Sequence, residues 1–291
     1  MFFGSIPALV TPFSGGRVAE DTFADFVEWQ ITEGSNALVP CGTTGEVATL
    51  TADEHRELIA HTVQIAKGRV PVIAGCGTYS IAASIERIRA AADVGADAAL
   101  VVVPYYNKPS QAGLAAHFTA IADASPLPIV VYNVPSRTVA DISVETLAQI
   151  AKHQRIVAVK DATGNLGRVS AQRLACGEDF IQLSGNDDMA LGFNVMGGTG
   201  CISVTANVAP RLCSDFQNAM KDGRWDDAVK LQDRLYPLHA ALFTDASPAP
   251  TKYALTRIRN DIPDGLRLPM TPAGETSRRA VDAALDHAGL I

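Results

Sequence analysis

Lys160 stands where a lysine is least expected, near the end of the apolar run "IVAVKDAT" (156–163). An ammonium taken out of water is costly, so lysine is among the residues least often buried. Two readings fit the run alone: a strand-tip charge paired with Asp161, or an amine held in a dry pocket. In the second, desolvation favours the neutral amine, which attacks a ketone to form a Schiff base, and the protonated imine is an electron sink. Tyr132 lies one strand–helix unit earlier, so the spacing places its phenol level with Lys160 on the adjacent strand. A phenol there can shuttle protons during imine formation and carbon–carbon bond formation. Thr43 and Thr44 in "CGTTGE", with Tyr105 and Tyr106 in "PYYNKPS", add hydroxyls at other strand ends and suit a proton relay without histidine. Taken singly, these residues are equally caps, packed aromatics or interface anchors. Arg137, in the loop of "YNVPSRT", either binds a carboxylate through two parallel hydrogen bonds or is a solvated loop charge.

Positioning such groups requires strands that end at one rim. Short apolar runs recur at residues 5–11, 37–42, 70–76, 97–104, 128–135, 156–163, 180–187 and 200–206. Most are rich in Val, Ile and Leu without alternation, the pattern of parallel strands covered on both faces. Helical periodicity fills the gaps. Phe23, Phe26, Val27 and Ile31 mark one face of a helix that stops at Gly34, and Thr51 with Glu54 forms a capping box. Eight strands alternating with helices predict an α/β fold, a (β/α)8 TIM barrel, with functional groups at the C-terminal strand ends. A doubly wound open sheet is the rival, and the even spacing favours closure. The strand signal stops after Pro210, and helices are expected near 208–221, 224–243, 248–259 and 274–288. The expected organisation is a catalytic barrel over 1–224 and a C-terminal helical appendage over 225–291.

Composition removes several function classes. The 291 residues carry a formal net charge of −7 and no basic block, which argues against nucleic acid as a partner. Hydrophobic residues make up 47% of the chain, yet no window approaches the eighteen consecutive apolar residues of a membrane span. The apolar start "MFFGSIPALVTPF" has two prolines and no basic flank, so it reads as a first strand rather than a signal peptide. Five cysteines without CxxC spacing fit reduced thiols better than disulfides or zinc, and a cytoplasmic location is expected. The histidines form no HxH or HExxH array, so no protein-built metal site is expected. "GCGTYS" (75–80) lacks the third glycine of a dinucleotide fingerprint, and "GGTG" (197–200) reads as a tight turn rather than a phosphate loop. No cofactor is called for.

The motifs "GTTGE", "PYYNKPSQ", "YNVPSRT", "VKDAT", "GGTGCISVTANVAP" and "LRLPMTP" together resemble the dihydrodipicolinate (4-hydroxy-tetrahydrodipicolinate) synthase family. The resemblance runs from the first strand into the C-terminal tail. Its lysine and "YNVP" elements are shared by the wider class I pyruvate aldolase superfamily, which includes N-acetylneuraminate lyase. The arginine of "PSRT" is more specific, because the lyases generally lack it.

What the resemblance implies is a lyase of the diaminopimelate and lysine pathway that condenses pyruvate with L-aspartate 4-semialdehyde. It implies that Lys160 forms the pyruvate imine, that Tyr132 donates and accepts protons, and that Thr43 and Tyr106 complete a relay, Tyr106 coming from the neighbouring subunit. It also implies that Thr44, Gly185 and the backbone near Ile202 hold pyruvate, that Arg137 binds the aldehyde's carboxylate, and that the assembly is a homotetramer, a dimer of dimers. An effector cavity for lysine corresponds to Val47, His55, Tyr79, Ala83 and Tyr105. Tyr79 and Ala83 replace the asparagine and glutamate of lysine-inhibited members, and Val47 stands where serine is common, so lysine inhibition is expected to be weak or absent. Two alternatives remain open at this point: a lyase for N-acetylneuraminate or 2-keto-3-deoxy sugar acids using the same imine, and a non-catalytic barrel.

Overall fold

The computed structural model describes residues 2–291. Its strands are β1 (Gly4–Pro7), β2 (Phe13–Ser14), β3 (Arg17–Val18), β4 (Ile73–Gly75), β5 (Ala98–Val102), β6 (Ile129–Asn133), β7 (Ile156–Asp161), β8 (Ile181–Ser184) and β9 (Gly200–Ser203). Helices α1 (Glu20–Thr32), α2 (Ala52–Ala66), α3 (Ile81–Asp93), α4 (Gln111–Ala124), α5 (Pro135–Thr138), α6 (Val144–Ile150), α7 (Gly167–Cys176), α8 (Ala190–Val195) and α9 (Pro210–Lys221) alternate with them. Three more helices follow: α10 (Trp225–Ala241), α11 (Ala249–Ile258) and α12 (Glu275–Ala288).

Seven strands form one parallel sheet in the order β1-β9-β8-β7-β6-β5-β4, while β2 and β3 make a small hairpin apart from it. The run expected at 37–42 contributes only isolated bridges, Val39 to Ala8 and Leu38 to Val72. Those bridges join β1 to the stretch leading into β4 and so close the ring of eight. Pro40 has no N–H to extend this ladder, which shortens the second strand below a regular assignment. The chain is a (β/α)8 barrel with C-terminal helices.

Side-chain alternation sorts each strand between two cores. On β6, Val130 and Tyr132 face the barrel interior while Ile129 and Val131 join the outer core beneath the helices. On β7, Ala158 faces inward and Val159 outward. Both faces are dry, which is why the sequence runs lack a polar period. The capping box at Thr51 and Glu54 is formed in both directions. In α1 the fourth buried position is Gln30 rather than Ile31, which is only partly covered. The amide of Gln30 donates to the carbonyls of Ala206 and Asn207 and accepts from Ser35, so a fully satisfied polar group replaces an apolar one.

Candidate active site

Parallel register brings Tyr132 of β6 directly beside Lys160 of β7. The Lys160 side chain is 6% exposed, and its Nζ lies 4.2 Å from the centroid of the Tyr132 ring. Among the described residues Lys160 has neither a hydrogen-bond nor an ion-pair partner. Asp161 cannot supply one, because successive strand residues point to opposite faces. Its carboxylate is instead held on the outer side by Arg168 Nε at 3.0 Å, Gln172 Nε2 at 2.7 Å and the Thr163 hydroxyl at 2.6 Å. The strand-tip pair considered from sequence is therefore excluded by parity.

Lys160 and Tyr132 line a cavity of about 320 Å³ at the C-terminal mouth of the barrel, together with Thr43, Thr44, Arg137 and Gly185. The threonines sit on a turn closed by Gly45 N–H to Gly42 O and Glu46 N–H to Thr43 O, each 3.1 Å. The backbone N–H groups of Thr43 and Thr44 donate to no described residue, so this turn can receive an anion. Gly185 is obligatory by space: a Cβ there would lie 2.6 Å from that of Ala162. Arg137 sits on the one-turn helix α5, not in a loop, with Pro135 at its first turn. It is exposed at the cavity mouth, and its guanidinium pairs with no described carboxylate.

Three expected residues lie elsewhere. Ile202 is packed in the barrel interior and does not reach the cavity wall. Tyr106 is 95% exposed with φ +67°, outside the cavity that Thr43 and Tyr132 line within one chain. His55 is buried against α2's neighbours, its Nε2 2.8 Å from Gly75 O; burial, and then the Arg87 charge, hold it below the ordinary histidine range. Val47, Tyr79, Ala83 and Tyr105 do meet, around a second cavity of about 600 Å³. There Tyr79 and Tyr105 stack edge-to-face at 5.3 Å.

Sequence reasoning missed one wall of the first cavity. Asp187, Asp188, His239, Phe243 and Ser247 complete it. Asp187 accepts from the Ser203 hydroxyl and from the backbone N–H groups of Val204 at 2.9 Å and Thr205 at 3.3 Å. His239 reaches in from α10 and bonds the Thr205 hydroxyl through Nδ1 at 2.8 Å. Burial pushes its pKa down, against the opposing charges of Asp187 and Asp188. The pair of aspartates at the end of a barrel strand was open to the strand-end rule. His239 carried no signal, since its helix lies outside the strand–helix repeat. Among the described residues no cluster of three or more His, Cys, Asp or Glu is arranged to hold a metal, and no helix is long and apolar enough to cross a membrane.

A paired lysine and tyrosine inside a closed barrel admits several aldolase-type chemistries, and comparison with known proteins narrows them. Residues 1–288 match the model of the dihydrodipicolinate synthetase family. The chain belongs to that family. A relative from Rhizorhabdus wittichii, a 4-hydroxy-tetrahydrodipicolinate synthase, is 63% identical over 290 residues and all of both chains. The chloride-inhibited dihydrodipicolinate synthase of Acinetobacter baumannii, solved with pyruvate, is 42% identical over all of both chains with a TM-score of 0.97. The family member from Cyanidioschyzon merolae, solved with lysine bound, is 37% identical over 99% of each chain with a TM-score of 0.95.

Proposed function

We propose that this member of the dihydrodipicolinate synthetase family condenses pyruvate with L-aspartate 4-semialdehyde through a Schiff base on Lys160. The observation that carries the reading is a buried, unpaired amine set in register with a phenol at the mouth of a barrel. The Lys160 amine attacks the ketone carbon of pyruvate and expels water, giving a protonated imine. Loss of a methyl proton yields the enamine, whose carbon attacks the aldehyde. The amine of the second substrate then attacks the imine carbon, releases Lys160 and closes the heterocycle. The electron sink is the imine itself, so the reading requires no cofactor.

Tyr132 passes protons to and from these intermediates, with Thr43 and, from a neighbouring subunit, Tyr106 completing the relay. The high exposure and left-handed backbone of Tyr106 support a residue set to reach outward. That arrangement needs a tight dimer, paired again into a tetramer. The unpartnered N–H groups of Thr43 and Thr44, with Gly185 beside them, receive the pyruvate carboxylate. Arg137 binds the carboxylate of the aldehyde. Residues 1–224 form the catalytic barrel, and the appendage over 225–291 closes its mouth through His239 and Phe243.

Incubation with pyruvate and borohydride, followed by peptide mass mapping, should locate one reduced adduct on Lys160, and synthase turnover should follow on adding the aldehyde. No adduct on Lys160 sinks the mechanism. Adduct without turnover would move the assignment to a sugar-acid lyase. Arg137→Ala should leave imine formation intact while raising the KM for the aldehyde about 10–100-fold, the worth of a charge-assisted bidentate contact.

A further inference from the structure

One buried imidazole in the wall of the first cavity has a role in none of the steps above. His239 is 3% exposed, and its Nε2 has no hydrogen-bond partner among the described residues. At that burial no neighbouring chain supplies one. Its Nδ1 lies 2.8 Å from the Thr205 hydroxyl, which is fully buried, bonds nothing else described and does not line the cavity. This geometry selects a tautomer. With the proton on Nδ1, the Thr205 O–H would be an orphan donor sealed inside the fold. With the Thr205 O–H donating to Nδ1, the orphan donor is Nε2–H, on a residue of the cavity wall where a ligand can take it. Burial keeps the ring neutral near pH 7, against the opposing charges of Asp187 and Asp188.

The order of the strands places this donor relative to the reactive amine. Around the ring β6, β7, β8 and β9 are successive neighbours. Arg137 follows β6, Lys160 stands on β7, and Thr205, which holds His239, follows β9. Lys160 therefore lies between the arginine and the histidine. An acceptor whose carboxylate rests on Arg137 extends past Lys160 toward His239, and its far end is the aldehyde.

We infer that His239 is a catalytic residue of the carbon–carbon bond-forming step, its Nε2–H holding the aldehyde oxygen as that oxygen becomes an alkoxide, with Thr205 as its positioning residue. The inference rests on the proposed condensation. In that step a bond forms between the enamine and aldehyde carbons, the aldehyde π pair moves onto oxygen, and the nitrogen pair restores the protonated imine. Tyr132 returns to the alkoxide the proton it took from the methyl group, so His239 stays neutral throughout. A donor fixed before the reaction acts most strongly where charge develops.

Two rates measured on the full chain separate this step from imine chemistry: exchange of the pyruvate methyl protons in D2O, followed by NMR, and condensation with L-aspartate 4-semialdehyde. His239→Leu should exchange the methyl protons at the wild-type rate while its kcat for condensation falls about 10²-fold, the worth of one oxyanion donor, with KM for the aldehyde little changed. His239→Gln, which keeps an N–H donor, should recover part of that loss. Thr205→Val, which frees the ring to carry its proton on Nδ1, should lose less than His239→Leu, again with exchange intact. Condensation within threefold of wild type in His239→Leu overturns the inference. Exchange and condensation falling together in both His239 variants also overturns it, because a merely structural histidine would do that. A wild type that exchanges the protons but condenses only another aldehyde refutes the proposed acceptor, and His239 is then judged by the same two rates with that aldehyde. A wild type without exchange refutes the imine on Lys160 and this inference with it.

Discussion

Two buried lysines in this chain lie over aromatic rings at nearly the same distance, yet their polar surroundings are opposite. Lys160 Nζ sits 4.2 Å from the Tyr132 centroid, and Lys252 Nζ 4.4 Å from that of Phe13. Lys252 is completely covered, bonds Glu46 Oε1 at 2.5 Å and Gly265 O at 2.7 Å, and ties α11 to the turn after the second barrel strand. Burial pulls its pKa down while Glu46 pulls it back up. Among the described residues Lys160 has the ring and no hydrogen-bond or ion-pair partner. Burial alone therefore does not mark a reactive amine. What separates the two is the acceptor: Glu46 answers the charge of Lys252, and no described residue does so for Lys160, the amine proposed to react.

The comparison can be broken in order of expected effect. Lys160→Met should abolish imine formation and turnover while leaving the thermal midpoint at or above wild type, because no ion pair is lost and an apolar chain fills a dry site. A large fall in that midpoint would show that Lys160 is structural. Tyr132→Phe should keep the ring under Lys160 but remove the proton carrier, lowering kcat by about 10²–10⁴ with the fold intact. A drop below tenfold would take the phenol out of the proposed relay.

Lys252→Met should do the reverse. It strands Glu46 as a buried unpaired carboxylate and should cost about 3–5 kcal/mol in denaturant unfolding, whereas Lys252→Met with Glu46→Gln should recover much of that. Equal stability of single and double variants would deny the pair its role.

The smallest effect concerns acid. Arg267 spans the same region, its guanidinium on Glu54 and its backbone N–H on Glu46. Its hydrogen bonds hold the Glu54 carboxyl down at about 2. A carboxyl lowered on folding contributes stability that is complete above its unfolded value near 4.5 and is lost as pH falls toward 2. Glu54→Gln should flatten the pH dependence of unfolding in that window and leave the borohydride adduct on Lys160 unchanged. An unaltered slope would remove Glu54 from the acid response.

The sequence by itself determined the repeat, the level of Lys160 with Tyr132, the capping box at Thr51 and Glu54, and the four C-terminal helices. Each of these is a local or periodic property: apolar runs, caps and a fixed strand–helix interval are written in neighbouring residues. The strand ends likewise named Thr43, Thr44 and Arg137, the family resemblance added Gly185, and the barrel brings them to one cavity. Tertiary structure alone decided the rest. Strand parity turned Asp161 away from Lys160, and Pro40 cut the second strand to two bridges. His239 and the partner of Glu46 came from helices far along the chain. These depend on which distant groups meet and which charges find an acceptor, and no spacing rule within one segment encodes that.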